Sequence, residues 1–251
     1  MPVSGKPIWG TTPMPAASLE IENLSAGYGP TRVIEDVSFS VPAGSRLAVL
    51  GRNGVGKTSL LATLAGQTRR YHGEIRLGGR DISNGPSAAR ALAGLGYVPQ
   101  TRDVFPTLTV EENLFVGLKH RPKDAISEAY DMFPRLKERR KNLGRQLSGG
   151  EQQMLSTARS TLGRPAVLLL DEPQEGLAPV ICEELMAAFS TLAGSGEMTI
   201  LLVEQRIQNA LDFADGVIIL ERGRIAWQGT PQALAADHGT VERLLGVGGL
   251  H

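Results

Sequence analysis

Eight consecutive residues, Gly51-Arg52-Asn53-Gly54-Val55-Gly56-Lys57-Thr58, have the spacing G-x-x-x-x-G-K-[ST]. Glycines in such a loop let successive backbone N–H groups turn inward around an anion. Lys57 adds a charge that can reach the outer phosphates of a nucleotide, and the Thr58 hydroxyl can coordinate Mg²⁺. A second group of residues suits the same chemistry. Val167-Leu168-Leu169-Leu170-Asp171-Glu172 is an apolar run closing on two carboxylates, which a parallel sheet would deliver to the crevice at its carboxyl edge. Asp171 suits the Mg²⁺ shell, often through water. Glu172, one position on, can orient or deprotonate a water beside the terminal phosphate. An acidic pair after a strand is more often a helix cap; the phosphate loop upstream reverses that preference.

These groups need elements to hold them. The loop follows Leu47-Ala48-Val49-Leu50 and precedes Ser59-Leu60-Leu61-Ala62-Thr63-Leu64, a strand and a helix whose positive end faces the anion. Val167–Leu170, Ile200–Val203 and Val217–Leu220 are further continuous apolar runs, the pattern of strands buried on both faces of a helix-covered parallel sheet. Leu19-Glu20-Ile21 and Val33 to Phe39 alternate apolar and polar residues, predicting half-buried strands. Glu74–Leu77, Gly78-Gly79 and Arg80–Ile82 read as a hairpin. A helix-rich middle, roughly Thr109 to Ser160, contains the helically spaced stretches Val110–Leu114 and Glu128–Phe133. Its charge run Lys137–Lys141 is read as a solvated helix face, with contact to anionic headgroups as the sharper alternative.

Composition removes several classes. Lys plus Arg and Asp plus Glu both number 26, so charge gives no reason to expect a nucleic-acid partner. The one cysteine, Cys182, excludes an internal disulfide, fits a reducing compartment and reads as a small buried hydrophobe. No apolar run reaches the ~20 residues needed to span a bilayer. Residues 1–18 are expected to form a flexible tail without a secretory signal, and 19–251 a single domain. The expected location is the cytosol, with any membrane role exerted through other subunits.

Between the two groups lies Leu147-Ser148-Gly149-Gly150-Glu151-Gln152-Gln153. Ser148 and the glycine N–H groups would open a helix whose positive end can face phosphate. The heptapeptide resembles the signature motif of ATP-binding-cassette proteins, and the resemblance covers about residues 19 to 235. It implies an α/β fold: a P-loop NTPase (RecA-like) core with a parallel sheet, an antiparallel β subdomain and an inserted α-helical subdomain at about 101–158. It implies ATP and Mg²⁺ as cofactors. The ATP-binding set would be Tyr28, stacking on adenine, and Gly51, Arg52, Asn53, Gly54, Val55, Gly56, Lys57, Thr58 and Ser59. The Mg²⁺ set would be Thr58, Gln100 and Asp171, with Gln100 also meeting the attacking water and opening the segment that touches a membrane partner. Leu147, Ser148, Gly149, Gly150 and Glu151 would act in trans, across a head-to-tail dimer.

Three stretches narrow the resemblance. The loop Gly51–Gly56, the segment Glu175-Gly176-Leu177-Ala178-Pro179, and Val203-Glu204-Gln205 where most of the family has histidine look like the second ATPase subunit of branched-chain amino acid importers. Urea and short-chain amide importers share the first and third; Asp-Glu-Pro-x-x-Gly-Leu-Ala-Pro favours the amino acid branch. That resemblance implies permease subunits, an external solute-binding protein and a different ATPase subunit as partners, at the cytoplasmic face of the inner membrane. Glu172 and Gln205 would be the catalytic pair. An amide can donate to phosphate as imidazole does, but it does not titrate near neutral pH. Non-transport cassette ATPases of DNA repair and translation are the competing class; the long coiled coil of the first and the paired cassettes of the second are missing from this sequence. A simple P-loop kinase leaves Leu147–Gln153 unexplained.

Overall fold

The computed structural model describes residues 15–194 and 196–246; most of the expected N-terminal tail lies outside them. Leu47–Leu50 forms nearly all of strand β3 (Arg46–Leu50), preceded in the chain by β1 (Leu19–Tyr28) and β2 (Thr31–Val41). The later strands are β4 (Arg69–Leu77), β5 (Arg80–Asp81), β6 (Leu95–Val98), β7 (Val167–Asp171), β8 (Thr199–Val203), β9 (Gly216–Glu221) and β10 (Arg224–Gly229). They form two sheets, one ordered β2-β1-β4-β5 and one ordered β10-β9-β3-β8-β7-β6.

The second sheet is parallel from β9 to β6, with β10 added antiparallel at one edge. The continuous apolar runs are its central strands, and all five residues of β7 and of β8 are buried. Strands β3 and β9 feed two cores. Val49, Leu169, Leu201 and Ile218 pack with Leu60, Leu61 and Leu64 of the helix Lys57–Leu64. Ala48, Leu50, Val217 and Ile219 point the other way, onto Ile207, Ala210, Leu234, Val241 and Leu244. Burial on both faces is why these strands lack polar alternation.

The first sheet is antiparallel throughout. Its alternating strands bury Leu19, Ile21, Leu24, Ile34, Val37 and Phe39. The β4–β5 hairpin turns at Gly78 and Gly79, both at positive φ, as the glycine pair predicts.

Residues Val104–Arg164 pack as a separate unit. Its longest helix, Gly149–Leu162, carries the helical segment past the expected end near 158, since the chain offers no glycine or proline until Gly163. The helix Val110–Gly117 begins with a reciprocal cap: Glu112 N–H donates to Thr109 Oγ1 and Thr109 N–H donates to Glu112 Oε2. Buried Asn113 donates to the carbonyls of Phe105, Leu108 and Thr109 and accepts from Phe105 N–H, fixing the preceding loop. A Cβ on Gly117 would land on the Arg159 carbonyl, so that glycine lets the helices Val110–Gly117 and Gly149–Leu162 touch. Residues 137–141 are all exposed.

Candidate functional site

Strand register assembles the site. Val203 of β8 pairs with Val49 on one side and with Asp171 on the other. The carboxyl ends of β3, β8 and β7 are therefore level, and the loops that leave them meet. The first is Gly51–Gly56. Gly51 has φ 149° and Gly56 φ 110°, and a Cβ at Gly51 would sit 2.6 Å from the Leu220 carbonyl oxygen, so only glycine fits there. Lys57 opens the following helix and folds its side chain back over the loop. Nζ donates to the carbonyls of Gly51 at 3.0 Å and Arg52 at 3.1 Å.

The same ammonium lies 3.4 Å from Glu172 Oε1, with Lys57 only 4% and Glu172 7% exposed. Glu172 itself takes φ 45°, the left-handed region, directly after β7. Such a turn costs a non-glycine residue about 1–2 kcal/mol, and it persists because Glu172 N–H donates to Val203 O at 3.0 Å. Gln205 Nε2 donates to the other oxygen, Oε2. Gln100 Nε2 donates to Oε2 at 3.4 Å and to Glu175. A cleft of about 250 Å³ lies here, lined by Asn53, Gly54, Gly56, Lys57, Thr58, Ser59, Gln100, Glu172 and Gln205, together with Val33 and Glu175.

Asp171 is fully buried. Its Oδ1 accepts from Thr58 Oγ1 at 3.1 Å and its Oδ2 from the Tyr97 hydroxyl at 3.2 Å. Burial pushes the Asp171 carboxyl up to about 6, against these two hydrogen bonds. Burial likewise raises the Tyr97 hydroxyl, helped by the negative charge of Asp171. Thr58 and Asp171 present hard oxygen donors in contact with each other beside the phosphate loop. That donor set fits Mg²⁺, which takes few protein ligands and completes its shell with phosphate and water.

The structure thus brings Lys57, Thr58, Gln100, Asp171, Glu172 and Gln205 together. Tyr28 stands at the end of β1, 51% exposed, and is not among the described residues that line the cleft. The signature residues lie in the Val104–Arg164 unit. Ser148 caps the helix Gly149–Leu162: Oγ accepts from Glu151 N–H at 3.3 Å, and Ser148 N–H donates to Glu151 Oε2 at 2.8 Å. Leu147 is buried. Gly149 and Gly150 occupy the first turn, at the positive end of a helix of 14 residues.

Three residues hydrogen-bonded to the site residues escaped the sequence reading: Tyr97 on Asp171, Glu175 on Gln100, and Glu204 on the backbone N–H of Gln205. Glu204 had a usable signal, because a carboxylate directly follows the apolar run of β8 as Asp171 and Glu172 do that of β7. Tyr97 had none, since its partner belongs to a neighbouring strand distant in sequence.

The family model described as ABC transporter matches residues 34–175. The chain is 38% identical over 232 residues, 91% of its length and 99% of the relative's, to the high-affinity branched-chain amino acid transport ATP-binding protein BraG of Pseudomonas aeruginosa. It is 38% identical over 230 residues, 90% of its length and 97% of the relative's, to the probable branched-chain amino acid transport ATP-binding protein LivF of Archaeoglobus fulgidus. A solved ATP-binding subunit of an ABC transporter superposes with a TM-score of 0.78 at 27% identity, over 88% of this chain and 93% of that one. With a phosphate loop, a buried aspartate and a lysine-paired glutamate on one sheet edge, the chain belongs to the ABC transporter family, as an ATP-binding and ATP-hydrolysing domain.

Proposed function

We propose that this chain drives uptake of leucine, isoleucine and valine through a membrane permease, as one member of a mixed pair of ATPase subunits. The observation that carries the hydrolytic part is the Glu172 carboxylate, held between Lys57 on Oε1 and Gln205 on Oε2. In this reading Lys57 leaves its carbonyl partners for the β- and γ-phosphates. Thr58 and Asp171 would hold Mg²⁺, which supplies charge neutralisation on the phosphate oxygens. Glu172 orients the attacking water and receives its proton, while Gln100 and Gln205 fix that carboxylate. Tyr28 stacks on adenine. Leu147 to Glu151 of this chain close over ATP held by the partner subunit, the glycine N–H groups facing its γ-phosphate, and the partner subunit's signature closes over ATP held here.

The transport part rests on the two relatives and on the Glu175–Pro179 and Val203–Gln205 stretches. Among the described residues no helix is long and apolar enough to cross a membrane, which suits a subunit docked on a permease at the cytoplasmic face, with an external protein delivering the solute. Uptake of leucine, isoleucine, valine and urea by cells lacking the subunit tests this. Loss of leucine uptake supports the reading, and unchanged leucine uptake with lost urea uptake overturns it.

A further inference from the structure

We propose that Glu204 is a positioning residue for hydrolysis: its buried carboxylate fixes the backbone of Gln205 and thereby holds the Gln205 amide on Glu172. The proposal rests on the reading of Glu172 as the group that orients water. Glu204 directly follows β8 and is 4% exposed. Its own N–H reaches the Val49 carbonyl at 3.4 Å, so it is tied to the strand that leads into the phosphate loop. Oε1 accepts from two successive backbone groups, Gln205 N–H at 2.8 Å and Arg206 N–H at 3.0 Å. Arg206 is the N-cap of the helix Ile207–Phe213 and contributes no capping side-chain bond of its own. Glu204 thus supplies the acceptor at this helix entry.

Oε2 of Glu204 is buried with no hydrogen-bond partner. Burial raises this carboxyl, opposed by the two backbone N–H groups; Glu172 adds to the rise and Arg206 counters it. Such a group is costly to bury, and an apolar residue at the end of an otherwise apolar strand would avoid the cost. What the carboxylate secures is conformation. Its two accepted bonds immobilise the peptide groups on both sides of Gln205, and from that fixed backbone the side-chain amide reaches Glu172 Oε2. Glu172 is then gripped on both oxygens, by Lys57 from the phosphate loop and by Gln205 from the turn after β8. With the peptide released, the amide would lose that direction.

The experiment compares the full-length chain with Glu204→Leu, Glu204→Gln, Gln205→Ala and Glu204→Leu/Gln205→Ala, reading kcat and KM for Mg-ATP hydrolysis and Kd for Mg-ATP, with Glu172→Gln as control. Glu204→Leu should lower kcat about tenfold or more with Kd within about twofold. Glu204→Gln, which keeps a carbonyl acceptor for both N–H groups, should restore most of kcat. On the Gln205→Ala background, Glu204→Leu should add almost nothing. Glu204→Gln as inactive as Glu204→Leu, or a Glu204→Leu loss that persists in full without the Gln205 amide, would overturn the proposal. Failure of the underlying reading looks different: Glu172→Gln would then hydrolyse ATP at the normal rate.

Discussion

Thr58 Oγ1 donates to Asp171 Oδ1 at 3.1 Å, joining the end of the phosphate loop to the end of β7. The bond couples an exposed threonine to a carboxylate that no solvent reaches. Removing the hydroxyl while keeping the shape, as in Thr58→Val, should weaken the Mg²⁺ dependence of ATP binding. We expect Mg²⁺ to enhance ATP affinity about tenfold less than in the wild type, with affinity for metal-free ATP unchanged, by calorimetry with and without Mg²⁺.

Asp171 should store instability. Its folded carboxyl lies at about 6, above its ordinary value of 3.8. Between these values the folded state binds more protons than the unfolded one, so stability from this group is present at low pH and lost as pH rises through about 6. Asp171→Asn should therefore stabilise the metal-free protein by about 3 kcal/mol at pH 8, and the gain should vanish below about pH 4. Urea unfolding in a chelator across that range measures it.

Glu172→Gln should bind Mg-ATP with near-normal affinity, retain closed dimers and lose about 10²–10⁴ in kcat, the range for a positioned base. Single-turnover hydrolysis and size-exclusion chromatography with ATP read both outcomes.

Lys57→Met should raise the Kd for Mg-ATP about 10- to 100-fold, the worth of a charge-assisted hydrogen bond to phosphate. It should also lower stability, because Glu172 at 7% exposure would lose its cation. Adding Glu172→Gln should recover stability and leave binding weak, which thermal unfolding and calorimetry separate.

Gly117→Ala tests the helical unit by itself. The methyl would meet the Arg159 carbonyl and should cost about 1–3 kcal/mol. The expected result is earlier loss of helical signal on heating, with Mg-ATP affinity at the Lys57 loop unchanged.

Much of this molecule was readable from local pattern. Four-residue apolar runs marked the central strands because burial on both faces leaves no polar alternation. The glycine spacing marked the phosphate loop because positive φ at Gly51, Gly54 and Gly56 excludes ordinary residues. The edge strand β10 was not read, since half of its residues are exposed and the others only partly buried, a pattern no different from a surface loop. Nor did the sequence place Tyr97 against Asp171 or Glu204 beneath Gln205. The first pairing depends on β6 lying next to β7, and the second on how the chain turns after β8, neither of which any local periodicity encodes.

The pairing of Val203 with both Val49 and Asp171 has a mechanical consequence. A slip of β8 by one residue would swap its two apolar faces. The smallest slip that keeps every side chain on its own side is two residues, about 6.6 Å, far enough to carry Gln205 out of reach of Glu172. The strands therefore offer no small sliding adjustment: the sheet either seats the amide on the carboxylate or abandons its packing, so the tolerance of the chemistry is inherited from the hydrophobic interior.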